Sequence, residues 1–502
     1  MPDTIFELLS AGHDPAPAIG APGREPVTYE ALRAEVARLA GQLRTLDIQR
    51  NDRVGIVLPN GPEMAVMFIA VASCAAAAPL NPDYREEEFR FYLDDLNAKA
   101  LVTRPGEAAE AHAAAPAETQ RVALVGDVGA LNLTLDGEPV EVAGGEIDFA
   151  QPDDIGLVLH TSGTTSRPKI VPLSQRNLTT SAGNIMRSLA LTPADRCLNV
   201  MPLFHIHGLM SAVLGSLSAG ATVVCSPSFD AFRFFEWFGE VQPTWYTAVP
   251  TMHQLILGRA GRNVDVIAAN PLRFLRSSSA SLPPSVMADL ESTFGAPMIE
   301  AYGMTEASHQ MACNPLPPGE RKPGSVGRGT GIELAIMDEG GALQPQGTIG
   351  EVVIQGGNVT AGYENNDEAN AKAYTDGWFR TGDQGYLDPE GYLFLTGRLK
   401  EIINRGGEKV SPREVDEVLL KHPAVDQAVA FAVPHDRLGE EVAAAIVLVE
   451  GAEVTDRELR DFAGEQLAPF KVPRKWVLVD EVPKGPTGKL QRIGLHEQLG
   501  LG

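Results

Sequence analysis

The amino-acid sequence predicts an α/β protein: a large N-terminal domain of α/β subdomains with a small antiparallel β subdomain, then a smaller α+β C-terminal domain. Three observations carry this reading. The chain, at 502 residues, exceeds what one hydrophobic core serves, and about 150 residues per domain suggests roughly two to four domains. Short apolar runs alternate with longer patterned segments through most of the sequence. Beyond about residue 331 the texture changes to shorter strands and tight turns.

The apolar runs, in order, are VGIVLP (54–59), ALVT (100–103), RVALVG (121–126), IGLVLH (155–160), ATVVCSP (221–227), TWYTAVP (244–250) and LRFLRSSS (272–279). Each is short, and rich in Val, Ile or aromatic residues. Segments such as 83–96 and 175–190 between them carry helical patterning, which predicts parallel strands joined by crossover helices. Loops with hydroxyls and glycines follow several strands, and in such sheets ligands sit at the strands' carboxyl ends. Met64–Leu80, MAVMFIAVASCAAAAPL, is just short of a membrane span and only weakly apolar, so it reads as a buried core helix. Residues 107–117 read as an exposed, alanine-rich helix.

From about 331, IELAIMDEGG, GEVVIQGGNVTAGY and GYLDPEGYLFLTGR alternate apolar and polar positions around glycine turns, which predicts the antiparallel subdomain. After Arg398, LKEIINRGGEKVSPREVDEVLLKHP opens alternating strands and helices that run to the end. The expected domains are therefore 1–398 and 399–502.

Composition narrows the function classes. A formal charge of −24 argues against a nucleic-acid or anionic-membrane surface, since both require a positive field. An anionic substrate must then be held by local donors. Four cysteines without CxxC spacing signal neither a disulfide framework nor a zinc cluster. The start, MPDTIFELLSAGHDPAP, lacks the basic-then-apolar order of a secretory signal. A reducing, cytoplasmic setting is expected.

HTSGTTSRPK at 160–169 sets five hydroxyls, a glycine and Lys169 directly after an apolar run. Hydroxyls, flexible N–H groups and a lysine suit a polyphosphate, yet the same composition makes an ordinary turn, and the spacing is not that of a Walker loop. Its company decides. YGMTE (302–306), WFRTGD (378–383), GRLKEIINRGGEKVSP (397–412) and PKGPTGK (483–489) follow in order, and with them the chain resembles the adenylate-forming superfamily of acyl-CoA synthetases, adenylation domains and luciferases over essentially its whole length.

The resemblance implies ATP, Mg2+ and coenzyme A as cosubstrates and cofactor, and a set of residue roles. Thr161, Ser162, Gly163, Thr164, Thr165 and Lys169 would wrap the β- and γ-phosphates. Ser279, Ala280, Glu300, Ala301 and Tyr302 would line the adenylate, with Thr305 on the α-phosphate. Glu306, with Thr161, would hold magnesium through oxygen ligands. Asp383 and Arg398 would take the ribose. Lys489 would bridge the attacking carboxylate and the α-phosphate, where charge from both partners must be neutralised. Lys400 would be the hinge of a mobile C-terminal domain, and Gly406 and Gly407 would line the pantetheine path.

For the acyl group, PLFHIHGL (202–209) offers His205, placed with the catalytic residues, and His207. Their spacing also occurs in metal sites, but the resemblance sets this loop beside the acyl pocket. SSSASL (277–282) puts Ser278, Ser279 and Ser281 where small apolar residues are usual, and Ser308 and His309 follow YGMTE. Such polar groups would go unsatisfied under an aliphatic tail, so a small, doubly charged acid is expected. HTSGTTSRPK, PLFHIHGL, RSSSASL and EAYGMTEASHQM resemble oxalate:CoA ligases most closely. The acid's second carboxylate would meet His207, Ser279, Ser281, Ser308 or His309, with Arg276 a less favoured candidate on the ground that it would point into the sheet. Malonate, 4-coumarate and a non-catalytic adenylate-binding protein are the alternatives. The resemblance implies small-molecule partners only, no carrier protein, and a monomer or homodimer.

Overall fold

The computed structural model describes residues 2–142, 146–161, 168–483 and 492–501. The chain forms two compact units. One comprises Met1–Thr161, Lys169–Leu334 and Ile354–Gly377; the other takes in Ala335–Val353 and Trp378–Gly502. The antiparallel strands from 378 to 398 thus cluster with the C-terminal residues, and the division falls before residue 398.

In the first unit each apolar run read as a strand is one: Arg53–Val57, Ala100–Thr103, Gln120–Val125, Ile155–Thr161, Thr222–Cys225, Trp245–Ala248 and Phe274–Ser277. They divide between two sheets. The nine-stranded sheet has six parallel strands at its centre, in the order Met298–Met304, Phe274–Ser277, Trp245–Ala248, Arg196–Asn199, Thr222–Cys225 and Pro17–Ala21. Antiparallel strands close both edges. The eight-stranded sheet centres on five parallel strands: Ile155–Thr161, Ala76–Pro79, Arg53–Val57, Ala100–Thr103 and Gln120–Val125. TVVC, WYTA and FLRS are buried at every position, as parallel strands covered on both faces must be.

Helix Pro62–Ala72 packs on both sheets, touching Pro17–Ala21 and Thr222–Cys225 in one and Arg53–Val57 and Ile155–Thr161 in the other. Glu63 is its one charged residue, and everything from Met64 to Ala72 is buried. A helix apolar all round is stable only where it is surrounded. The expected single helix over 64–80 is corrected here. The run breaks at Ser73–Ala75, where the Ser73 hydroxyl donates back to the Ile69 carbonyl at 2.7 Å, and Ala76–Pro79 continues as a buried strand. Alanine favours strands poorly. Its small side chain is tolerated there because both faces of the strand are covered. The alanine-rich segment forms a shorter helix than expected, Ala109–Ala114, with Ala111 and Ala114 buried.

The second unit contains the expected antiparallel strands, Glu333–Met337 with Leu343–Gln344 and Trp378–Leu387 with Leu393–Arg398. Beyond them lies the α+β part. Val425–His435 and Gly439–Leu448 form a long hairpin, extended by Ile403–Arg405, Glu408–Val410 and Lys475–Leu478. Helices Pro412–Leu419 and Asp456–Gly464 pack on it around Val415, Leu419, Ala430, Val442, Ile446 and Leu459. Among the described residues no helix is long and apolar enough to cross a membrane.

Gly303 in the first unit has no room for a side chain. Gly303 lies at the register shift between Met298–Met304 and His309–Cys313, and a Cβ there would stand 2.0 Å from the His309 carbonyl oxygen. Gly303→Ala is expected to cost about 2 kcal/mol or more in urea unfolding. Gly258, exposed on helix Pro250–Ala260 with nothing within 4 Å of a Cβ, should instead gain about 0.5–1 kcal/mol as Gly258→Ala. Equal shifts in the two variants would refute the crowding argument.

Candidate active site

Three neighbouring parallel strands bring together, at their carboxyl ends, the residues expected beside the acyl group. Thr247, Arg276 and Ile299 are register partners on Trp245–Ala248, Phe274–Ser277 and Met298–Met304, so their side chains leave the same face of the sheet. Arg276 is fully buried. Its Nη1 lies 3.2 Å from both His207 Nε2 and Thr247 Oγ1, and its Nη2 lies 3.1 Å from His309 Nε2 and 3.0 Å from Gln310 Oε1. Arg276 does not point into the sheet as expected: its side chain leaves the sheet's face and ends against the two imidazoles.

His207 opens a π-helix, His207–Leu214, an uncommon form that recurs at functional sites. Its ring stacks on His309 with centroids 4.9 Å apart. Nδ1 lies 3.0 Å from Ser279 Oγ and Nε2 lies 2.7 Å from Thr247 Oγ1. Burial, then the neighbouring His309 and Arg276, pushes the His207 imidazole well below its ordinary pKa, so it stays neutral. Three non-glycine residues here hold left-handed backbone: Ser279 (φ 72°), Ser308 (φ 49°) and His309 (φ 88°). Each costs on the order of 1–3 kcal/mol and persists only where surrounding structure imposes it.

The hydroxyls sort differently from one another. Ser279 is exposed at the strand end and turned to His207; Ser281 is half-buried. Ser278 donates to the Ala301 carbonyl at 2.9 Å, and Ser308, fully buried, donates to the Asn358 carbonyl at 2.9 Å. Those two donors are spent on backbone. His205 is half-buried with its ring 4.6 Å from that of Phe204.

On the nucleotide side, Glu300, Ala301 and Tyr302 are buried in Met298–Met304, and Glu300 Oε1 accepts from the Leu282 N–H at 3.2 Å. Thr305 begins the single turn Thr305–Ala307 that carries Glu306. Ala280 is exposed beside Ser279. The Tyr363 hydroxyl donates to Glu306 Oε1 at 2.8 Å, and the Thr360 N–H donates to the Glu306 carbonyl at 2.7 Å. Lys169, the register partner of Thr161, places Nζ 4.2 Å above the Tyr363 ring. Burial, then the Glu306 charge, raises the Tyr363 pKa, which keeps its hydroxyl a donor. Ser162, Gly163, Thr164, Thr165 and Lys489 lie outside the described residues.

In the second unit Asp383 and Arg398 are register partners, joined by an ion pair of 3.2 Å between Arg398 Nε and Asp383 Oδ1. Lys400 is exposed in the turn that follows. Gly406 (φ 59°) and Gly407 (φ 97°) are the two loop residues between Arg405 and Glu408, the backbone that a tight hairpin turn of this twist requires. Thr247, Gln310 and Tyr363 were not legible as site residues. Thr247 and Gln310 lie inside strands, and Tyr363 was marked only by its place in a glycine turn.

Residues 10–364 match the family described as AMP-binding enzyme, and residues 414–489 match the AMP-binding enzyme C-terminal domain. The chain belongs to the AMP-binding enzyme family. It is 49% identical to a probable CoA ligase, CCL9, of Humulus lupulus, over 95% of this chain and 92% of that one. It is 47% identical to the oxalate–CoA ligase of Arabidopsis thaliana, over 98% and 97%. The crystal structure of ATP-bound MatB from Rhodopseudomonas palustris superposes with a TM-score of 0.88 at 28% identity, covering 99% of each chain. This AMP-binding enzyme is therefore an AMP-forming acid–CoA ligase, and works with ATP, Mg2+ and coenzyme A.

The residues fit magnesium. Among the described residues no three His, Cys, Asp or Glu side chains group to cage a metal. One oriented carboxylate, Glu306, is what Mg2+ takes when phosphates and water supply its other ligands.

Buried imidazoles give the enzyme a pH signature. Burial lowers His253 to a pKa of about 4, and His207 falls in the same direction. Both stay neutral in the fold but charge below about 6.5 once unfolded, so the unfolded state binds more protons and stability falls as pH drops below about 6.5. Urea unfolding should lose about 1.3 kcal/mol per buried imidazole between pH 7.5 and 5.5. His253→Gln should remove one share of that pH dependence. Equal stability of the unmodified protein at the two pH values would refute neutral burial.

Proposed function

We propose that this AMP-binding enzyme is an oxalate:CoA ligase, converting oxalate, ATP and CoA to oxalyl-CoA, AMP and diphosphate. The observation that carries the reading is the polar cluster of buried Arg276, His207 and His309 with exposed Ser279 at its edge, which suits an acid with a second negative charge and is poorly matched to a hydrocarbon tail. The name of the Arabidopsis relative supports the same substrate.

In the first half-reaction one oxalate oxygen attacks the α-phosphorus of ATP and diphosphate leaves. Thr161, Ser162, Gly163, Thr164, Thr165 and Lys169 hold the departing phosphates, Tyr302 and Ala301 hold the adenine, and Asp383 and Arg398 the ribose. Glu306 and Thr161 would hold Mg2+, which would supply positive charge against the phosphates. Thr305 and Lys489 stabilise the charge that builds on the α-phosphate as the carboxylate arrives. In the second, CoA sulfur attacks the acyl carbon, losing its proton, and AMP leaves with the bonding electrons. Residues 399–502 turn about Lys400 between the steps, since Lys489 and the thiol need the same space, and Gly406 and Gly407 admit the pantetheine arm. His205 stands beside the acyl group. The protein works in the cytoplasm on small molecules alone, as a monomer or homodimer. Four free, buried cysteines suit that compartment.

ATP–diphosphate exchange over a panel of oxalate, malonate, propionate and 4-coumarate, followed by CoA addition, should show oxalate preferred by about 100-fold or more, as expected where missing polar partners discriminate. Exchange with malonate or 4-coumarate and none with oxalate would overturn the substrate. Lys489→Ala should lower exchange by about 100-fold or more. It should leave thioester formation from supplied oxalyl-adenylate within a few-fold. Equal loss in both halves would sink the role of Lys489.

A further inference from the structure

Arg276 is in an unusual position for a guanidinium. It is fully buried, and the four acceptors around it are all uncharged: His207 Nε2, Thr247 Oγ1, His309 Nε2 and Gln310 Oε1. Among the described residues no carboxylate lies within ion-pair reach, and its Nε has no acceptor. Besides the imidazoles, the ionisable groups that act on it are the thiols of Cys313 and Cys197, which burial holds protonated. A buried charge is ordinarily paired, because desolvating it is costly. This one stays charged at neutral pH, burial lowering its pKa only to about 10.

A guanidinium only donates. Both Nε2 atoms that face it must therefore be lone pairs, and each neutral ring carries its proton on Nδ1. For His207 that proton points at Ser279 Oγ, 3.0 Å away, so the Ser279 hydroxyl accepts from the ring and its own hydrogen is directed onward from the exposed end of the strand. The cluster thus presents donors outward, with an uncancelled positive charge behind them.

We propose that Arg276 is the specificity-determining positioning residue of the acyl site: it locks His207 and His309 as Nδ1-protonated donors, and its unpaired charge selects an acid bearing a second anionic group. The inference rests on the acyl pocket lying at His207, Ser279 and His309, and adds the source of the selection. Arg276 itself touches no substrate.

Two variants test it. Arg276→Gln removes the charge. Gln310→Glu leaves the guanidinium and its contacts in place but supplies the missing carboxylate at the position of Gln310 Oε1, cancelling the charge from within. In diphosphate exchange each should raise the KM for oxalate by about 30-fold, the scale of one charge-assisted bond. Exchange with propionate should change less than about threefold, and the KM for ATP about twofold or less. Gln310→Glu should fold normally, because it gains a salt bridge, and so answers the question even if Arg276→Gln does not fold. Equal losses on oxalate and propionate in Gln310→Glu, or unchanged oxalate KM, would overturn the proposal. Unmodified enzyme that prefers malonate to both oxalate and propionate would refute the oxalate reading yet support charge selection. A preference for propionate would refute both.

Discussion

Parallel strands buried on both faces force every chain crossing to the sheet's two ends, and the chemistry of the first unit hangs on one of those ends. Six such strands run through the nine-stranded sheet, and the residues after Phe274–Ser277 and Met298–Met304 emerge side by side. The helix Pro62–Ala72, apolar and wholly enclosed, covers that sheet and the eight-stranded one at once. Burial on that scale is what allows backbone at Ser279, Ser308 and His309 to be held in conformations that cost on the order of 1–3 kcal/mol each.

Burial also sets the terms for Arg276. Four hydrogen bonds of the charged kind, each worth about 1.5–3 kcal/mol, are of the same order as the several kcal/mol needed to desolvate the ion. The balance is close, and an arginine that merely filled space would be replaceable by a packed apolar side chain. What it supplies that no apolar residue can is charge and a fixed direction for two imidazoles. Glu306, proposed for the nucleotide side, is held in a similar way. Tyr363 orients one carboxylate oxygen, and the Lys169 ammonium lies over the Tyr363 ring.

Much of this was legible from residues alone, for identifiable reasons. Six of the seven strands read as apolar runs in the first unit have both faces buried, which removes any polar alternation to confuse the reading; Gln120–Val125 alone alternates. The Gly406-Gly407 turn shows because positive φ leaves few residue choices. MAVMFIAVASCAAAAPL misled because a buried helix and a buried strand share one composition, and only the Ser73 break and the neighbouring strands separate them. The serines near the acyl site looked equivalent in sequence. Backbone carbonyls at Ala301 and Asn358 take the hydrogens of Ser278 and Ser308, and Ser279 alone is turned to His207.

The sequence by itself determined the family, the order of the motifs and the types of group available for adenylate chemistry, because phosphate, ribose and metal each demand particular residues at short spacing. The tertiary structure decided which of those groups cooperate. Thr247, Arg276 and Gln310 lie on three different strands, and His207 on a helix; register aligns Thr247 with Arg276, and the packing of the next strands and the helix brings Gln310 and His207 to them. Register is a long-range property, settled by what each face of the sheet can bury, and so no local pattern in the chain announces it.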